Sequence, residues 1–138
     1  MRICTKVSIG NSPEKIRRAL ATNLDWLNTD TVDIYELHNP DSEVPIDESL
    51  VALMEQVDAG RVRVIGSSNF SGDQLREALE ASAAEGYPRF EVTQPPYSLV
   101  DSGAQEDLFP VCRQEEVAVT TYSPLAAGFL AGNTPRTA

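Results

Sequence analysis

The chain has 138 residues, of which 41% are hydrophobic and 23% charged. This composition is typical of a folded globular protein and excludes the disordered and fibrous classes. The formal net charge is -10, and no run of Lys and Arg could neutralise the phosphates of a duplex or of an anionic membrane. Nucleic-acid and membrane binding are therefore not expected.

The cysteines and the N-terminal residues point to a reducing compartment. The first residues lack the apolar stretch of a signal peptide, and no run approaches the ~20 apolar residues of a membrane span. Cys4 and Cys112 lie far apart and outside a C-x-x-C spacing, so neither a disulfide framework nor a metal site is predicted. We interpret both as reduced thiols of the core and expect a cytoplasmic protein.

Short apolar runs alternate with segments of helical period along the whole chain, which is typical of a parallel α/β sheet. Strands are predicted over residues 3–7, 31–38, 61–66, 90–94 and 117–122. Four helices separate them, beginning near residues 12, 46, 71 and 105. Because no linker divides the chain, residues 1–138 are expected to form a single domain.

Local signals mark the ends of these helices. Ser12 is predicted to cap the first helix, and Gly60 to end the second in a left-handed conformation. Ser71 and Gln74 have the spacing of a capping box, in which each side chain binds the other residue's backbone N–H. Pro110 lies inside the last helical pattern and is expected to kink or divide it.

Polar residues occupy the carboxyl ends of the predicted strands, which gather in one place in parallel α/β folds. In chain order these ends carry Lys6, His38, Ser67-Ser68-Asn69, Gln94 and Tyr122-Ser123-Pro124-Leu125. Amide side chains match a carboxamide, an aromatic ring can stack, and Lys and His polarise oxygen. The set therefore suits a planar amide-bearing ligand and a carbonyl. Solvation, turn formation and core packing are the structural alternatives.

Five stretches of the sequence resemble those of the aldo-keto reductases, in the same order. They are Thr5-Lys6, DIYELHNPD at residues 33–41, GRVRVIGSSNF at 60–70, QPPYSL at 94–99 and YSPLAAGFL at 122–130. The resemblance implies an α/β fold that is part of a TIM-type (β/α)8 barrel, with about five parallel strands and four intervening helices. It also implies reduction of aldehydes or ketones to alcohols with NADP as the cofactor, or NAD.

The resemblance also suggests roles for particular residues. Lys6 is similar to the active-site lysine that lowers the pKa of a catalytic tyrosine, and His38 to the histidine that orients the substrate carbonyl. The groups similar to those that bind the nicotinamide are Ser68, Asn69, Gln94 and the stacking ring of Tyr122. Ser123, Leu125 and Gly128 are similar to the residues whose backbone N–H groups surround the cofactor pyrophosphate.

The resemblance covers only the central part of the family barrel. The family's catalytic tyrosine, and the aspartate that pairs with its active-site lysine, belong to segments that precede the match to Lys6. Because a general acid contributes ~10²- to 10⁴-fold, we expect this truncated chain to be a weak or inactive reductase alone. The alternatives are an inactive nicotinamide-binding remnant and a half-barrel that needs a partner chain. Open edges at residues 3–7 and 117–122 would favour self-association or a complementary barrel fragment.

Overall fold

The computed structural model describes residues 1–132. Five parallel strands form one sheet in the order β1-β2-β3-β4-β5. The strands are β1 (Cys4–Val7), β2 (Val32–Leu37), β3 (Val62–Ser68), β4 (Phe90–Gln94) and β5 (Ala118–Val119). Each strand pairs with its neighbours in sequence, so the sheet advances one strand at a time. The predicted fold class is confirmed.

Four α-helices alternate with the strands. They are α1 (Pro13–Leu27), α2 (Ile46–Asp58), α3 (Gly72–Glu85) and α4 (Leu108–Gln114). Short 3-10 helices occur at Gly103–Gln105 and Ala126–Ala131. Each α-helix contacts the next one along the chain, so the helices form one layer. Strand side chains alternate between the two faces of the sheet. One face packs against the helices, and the other corresponds to the interior face of a barrel wall.

The apolar core lies between the sheet and the helix layer. On β2, Tyr35 and Leu37 are fully buried in it, as are Ile16 and Leu20 of α1 and Leu50 of α2. The Tyr35 hydroxyl donates to the carbonyl oxygen of Ile16 at 3.2 Å. Successive strand residues point to opposite faces, so Glu36, between Tyr35 and Leu37, faces the other way.

Most of the predicted helix-end signals are confirmed. Gly60 has a φ of +71°, which a residue with a side chain tolerates poorly. The capping box is present, because the Ser71 Oγ accepts from the Gln74 N–H at 3.2 Å and the Gln74 side chain accepts from the Ser71 N–H at 3.0 Å. Ser12 occupies the N-cap position of α1, but its side chain forms no capping hydrogen bond, so that part of the prediction is wrong.

The last helix and the last strand are shorter than predicted. Pro110 lies in the first turn of α4, where an N–H would have no partner within the helix, so the helical pattern breaks before Leu108 instead. β5 has only two residues, and Tyr122 joins β4 through an isolated bridge to Pro96. Pro95 and Pro96 have no N–H to donate to a strand ladder, which explains why regular pairing stops there.

The two cysteines differ in their environments. Cys112 is buried, as predicted, whereas Cys4 is exposed, because it begins an edge strand of the sheet. Partial desolvation of the Cys4 thiol, followed by the nearby Glu36 carboxylate, raises its pKa to about 11. Within residues 1–132, no group of His, Cys, Asp or Glu side chains could hold a metal ion, and no helix is long and apolar enough to cross a membrane.

The capping box gives a matched stability test. Ser71→Ala removes the acceptor of the Gln74 N–H, so we expect the free energy of unfolding to fall by about 1 kcal/mol. Ser12→Ala is the control, because the Ser12 side chain makes no capping bond. Urea denaturation of both variants measures the difference. Equal losses would contradict the assignment of the capping box.

Candidate functional site

The predicted polar residues do meet at the carboxyl ends of the strands. We call the group formed by Lys6, His38, Ser68, Asn69, Gln94 and Tyr122 the strand-end site. Asn69 is at its centre. The Asn69 Nδ2 donates to the His38 carbonyl oxygen at 2.8 Å, and the Tyr122 hydroxyl donates to the Asn69 Oδ1 at 2.6 Å. One side chain therefore joins the segments that follow β2, β3 and β5.

Local backbone geometry aims the Asn69 side chain. Asn69 has a φ of +59°, and Asn tolerates this left-handed conformation better than most residues. Its backbone N–H donates to the Gln94 carbonyl oxygen at 3.3 Å, while its Nδ2 also reaches the Asn39 Oδ1 at 3.1 Å. The polar stretch that ends β3 thus leaves the strand in a turn that points an amide back across the sheet.

Gln94 connects β4 to both sides of the site. Its Oε1 accepts from the Lys6 Nζ at 2.7 Å, and its Nε2 donates to the Thr120 Oγ1 at 3.3 Å. The Gln94 backbone carbonyl also accepts from the Ser68 Oγ at 2.8 Å. Ser68 is only 1% exposed, so its hydroxyl faces the Gln94 backbone and not the open side of the site.

Lys6 forms an ion pair that the sequence analysis did not predict. Its Nζ donates to the carboxylate of Glu36 as well as to Gln94. Glu36 is 0% exposed, and its Oε1 has no hydrogen-bond partner among the described residues. A signal was present, because Glu36 lies two residues before His38 and is the charged residue within an otherwise apolar buried stretch of β2.

A serine on the edge strand's loop orients the His38 ring. The Ser8 Oγ and the His38 Nδ1 are 2.9 Å apart. Within residues 1–132 the His38 Nε2 makes no side-chain hydrogen bond, so this nitrogen is available to a ligand. When the Ser8 hydroxyl donates to Nδ1, the Nε2 carries the proton and becomes a donor. The sequence analysis did not predict a role for Ser8, because a serine that follows a strand is typical of an ordinary turn.

The predicted pyrophosphate residues form a separate turn after β5. Ser123 and Gly128 have φ angles of +57° and +94°, and Ala126 and Ala127 are also left-handed. The Ala126 N–H donates to the Ser123 carbonyl, and the Gly128 N–H to the Leu125 carbonyl. Among the described residues, no side-chain hydrogen bond joins this turn to the strand-end site. Irregular turns of this kind present backbone N–H groups to anions.

The exposed groups of the site are an aromatic ring and side-chain amides, which could hold a planar ligand that carries an amide. Tyr122 is 37% exposed, and its hydroxyl bond to Asn69 fixes the ring beside that amide. Gln94 and Asn69 supply amide donors and acceptors, which must exchange their present partners to bind a carboxamide. A cavity of about 320 Å³ adjoins Asn69 on the side of Pro95, Pro96 and Asp101, and Asn69 is the one member of the strand-end site in its lining.

Comparison with known proteins identifies the family. The Aldo/keto reductase family model matches residues 1–138.

The chain belongs to the aldo/keto reductase family.

Individual relatives agree with this assignment. The chain is 36% identical over 128 residues to an NADH-specific methylglyoxal reductase of Escherichia coli, covering 91% of this chain and 37% of that protein. It is 33% identical over 129 residues to an aldo-keto reductase of Schizosaccharomyces pombe named for NADP(+), covering 92% of this chain and 36% of the relative. The chain therefore spans little more than a third of the relatives' length.

A solved structure supports the same fold. The glycerol dehydrogenase AKR11B4 from Gluconobacter oxydans superposes with a TM-score of 0.81 at 29% sequence identity, covering 94% of this chain and 38% of that chain. The five-stranded sheet thus corresponds to part of an aldo/keto reductase barrel. Membership of the family and the partial-barrel fold, both expected from the sequence, are confirmed.

Proposed function

We propose that this chain carries the strand-end portion of a carbonyl-reducing site that uses NADPH or NADH to convert aldehydes or ketones to alcohols. The observation that supports this most is the Asn69 bridge, which links the backbone of His38 to the hydroxyl of Tyr122. A residue proposed for the carbonyl and a ring proposed for the cofactor are thereby held in one hydrogen-bonded unit. Family membership supports the class of reaction.

The two residues proposed as catalytic are Lys6 and His38. With Ser8 bound to Nδ1, the His38 Nε2–H can donate a hydrogen bond to a carbonyl oxygen and orient it. The Lys6 ammonium places a positive charge beside the same site and stabilises negative charge that develops on oxygen during reduction. The hydride is the contribution of the bound cofactor.

The remaining site residues are proposed to bind the cofactor. Tyr122 supplies a ring face for the nicotinamide, and Asn69 and Gln94 supply polar groups at the ends of β3 and β4. Ser68 is buried against the Gln94 backbone and must turn its hydroxyl outward to contribute. The turn that contains Ser123, Leu125 and Gly128 is proposed to place backbone N–H groups around the pyrophosphate, for which the Gly128 N–H must leave the Leu125 carbonyl. Because one relative is named as NADH-specific and another for NADP(+), both cofactors are tested below.

Tyr35 is not assigned as the proton donor. Its side chain is fully buried between the sheet and α1, and burial raises its pKa far above the usual value for tyrosine. Its hydroxyl donates to the Ile16 carbonyl, on the helix side of the sheet and away from the strand-end site. The Tyr122 hydroxyl, in turn, donates to Asn69.

A fluorescence titration with NADPH and with NADH tests the proposal. We expect saturable binding that Tyr122→Ala weakens roughly tenfold, the upper range for losing an aromatic stack. Tyr122→Phe retains the ring and loses the hydroxyl, so it should weaken binding by only about threefold. Trp26→Ala is the control, because Trp26 is 83% exposed near the far end of α1.

Addition of an aldehyde then separates the alternatives. Oxidation of the bound cofactor would support a reductase, whereas binding without oxidation would support a nicotinamide-binding module. Oxidation that appears only when a partner chain co-purifies would favour a half-barrel completed by that chain, since within residues 1–132 β1 and β5 each pair with one strand. No binding of either cofactor at millimolar concentration would contradict the proposal.

A further inference from the structure

The register of the sheet places a buried carboxylate directly against the proposed catalytic lysine. Lys6 on β1 is paired with Glu36 on β2, and Glu36 with Gly66 on β3. The three residues therefore form one row across the sheet, on the face that also carries His38. Because the sheet register sets this row, the Lys6–Glu36 contact follows from the backbone pairing and does not depend on a flexible surface loop.

The absence of a side chain at Gly66 makes room for this contact. A Cβ atom built there would lie 3.1 Å from the Glu36 Cγ, and 2.6 Å and 2.7 Å from the Val92 Cγ1 and carbonyl oxygen. Any larger residue would therefore press on the stem of Glu36 and on β4. Gly66 lets the Glu36 side chain lie flat in the row next to Lys6.

An ammonium group has three donors, and two of those of Lys6 are accounted for. One hydrogen bond goes to the Glu36 carboxylate and one to the Gln94 Oε1 at 2.7 Å. One donor is left for an acceptor outside these contacts. The side chain of Lys6 is 22% exposed, against 1% for Glu36, so an outside acceptor can reach the ammonium.

Among the described residues, Lys6 is the cation that forms an ion pair with Glu36. β1 contributes Lys6 and the Cys4 thiol, and β3 contributes Gly66, which has no side chain. A buried carboxylate is costly without a counter-ion, so Glu36 holds the ammonium strongly. The Glu36 carboxyl also lies close enough to the Cys4 thiol to be the second cause of its raised pKa, after desolvation.

We propose that Glu36 is a positioning residue that, together with Gln94, holds the Lys6 ammonium in the strand-end site with one donor directed outward. Glu36 touches neither cofactor nor substrate and acts through Lys6. Gln94 is also proposed to bind the nicotinamide carboxamide, which requires its amide to exchange a present partner, so Glu36 is the partner that holds Lys6 throughout. The catalytic meaning of this arrangement rests on the proposed function, whereas the ion pair itself does not.

Amine labelling measures the ion pair directly. Lys6 and Lys15 are the two lysines of the chain, and Lys15 is exposed on α1. The full chain is treated with limiting N-acetoxysuccinimide, and mass spectrometry gives the rate of acetylation at each lysine. The ratio of the Lys6 rate to the Lys15 rate corrects for pH, reagent and general accessibility.

Glu36→Gln keeps the size of the side chain and removes its charge. We expect the rate ratio to rise roughly tenfold, which corresponds to about 1.4 kcal/mol, because the amine no longer has to leave a buried ion pair before it reaches the reagent. Glu36→Asp retains the charge but shortens the side chain by one methylene, which moves the carboxylate away from Lys6. We therefore expect a smaller rise of the rate ratio, about threefold. An unchanged ratio in Glu36→Gln would overturn the proposal, since a space-filling role is preserved by glutamine.

Two controls keep the result decisive. Circular dichroism of each variant verifies that it folds. If Glu36→Gln does not fold, the labelling is done on Glu36→Asp, and an unchanged rate ratio in that variant would overturn the proposal. The labelling needs no cofactor. A chain that binds neither NADPH nor NADH but shows the Glu36 effect would contradict the proposed function and leave the ion-pair assignment standing. A chain that binds a cofactor but shows no Glu36 effect would overturn the ion-pair assignment alone.

Discussion

Replacing Lys6 by Met is expected to lower the free energy of unfolding by about 3–5 kcal/mol, the range for removing one partner of a buried ion pair. The substitution leaves the Glu36 carboxylate at 0% exposure without its cation, and one of its oxygens already lacks a partner among the described residues. The loss is therefore dominated by the desolvation of Glu36 and not by the attraction that the pair contributed.

A double variant separates these two contributions. Lys6→Met combined with Glu36→Met removes both charges, and we expect it to recover most of the stability, because apolar replacements of buried pairs are often neutral or better. Arg76→Met is the control, since it breaks an exposed ion pair with Asp73, and exposed pairs contribute about 0–1 kcal/mol. Guanidinium denaturation measures all three. A Lys6→Met loss no larger than that of Arg76→Met would refute the buried pair.

Gly66→Ala is expected to destabilise the chain by about 2–3 kcal/mol, near the upper part of the range for overpacking a core. The added Cβ would lie 2.7 Å from the Val92 carbonyl oxygen, and this backbone atom belongs to β4 and cannot rotate away. A shift of β3 from β4 would also disturb the neighbouring pairing of Ser68 with Gln94. The substitution should therefore weaken the strand-end site as well as the fold.

Gly103→Ala provides the matched control for this effect. A Cβ at Gly103 has nothing within 4 Å, and the residue does not adopt a positive φ, so its stability should change by less than about 0.5 kcal/mol. Thermal unfolding of both variants under the same conditions gives the comparison. If the two variants melted together, the close approach of β3 and β4 at Gly66 would not hold.

Much of the fold was accessible from the sequence because its signals are local. The alternation of apolar runs with helical segments, the left-handed Gly60 and the Ser71 capping box all depend on residues within a few positions of each other. The family motifs, from Thr5-Lys6 to residues 122–130, also follow from the order of residues alone. These signals identified the family and the order of strands and helices correctly, although the last helix and the last strand are shorter than predicted.

The errors of the sequence analysis fell where strand pairing overrides local preference. Residues 117–122 have strand-forming composition, yet β5 has two residues, because the facing prolines of β4's extension cannot donate to a ladder. Cys4 was expected in the core, but its strand lies at the sheet edge and it is exposed. Ser12 has the right type for a capping residue, but its side chain makes no such bond.

The sequence by itself therefore determined the α/β rhythm, the family and the set of polar residues at the strand ends, because all three are properties of neighbouring residues. The tertiary structure decided how those residues meet. The pairing of Lys6 with Glu36 across 30 positions, and of Lys6 with Gln94 across 88, depends on the register of three crossovers. Register is a long-range property of the folded sheet, since a shift of one residue would turn every side chain to the other face.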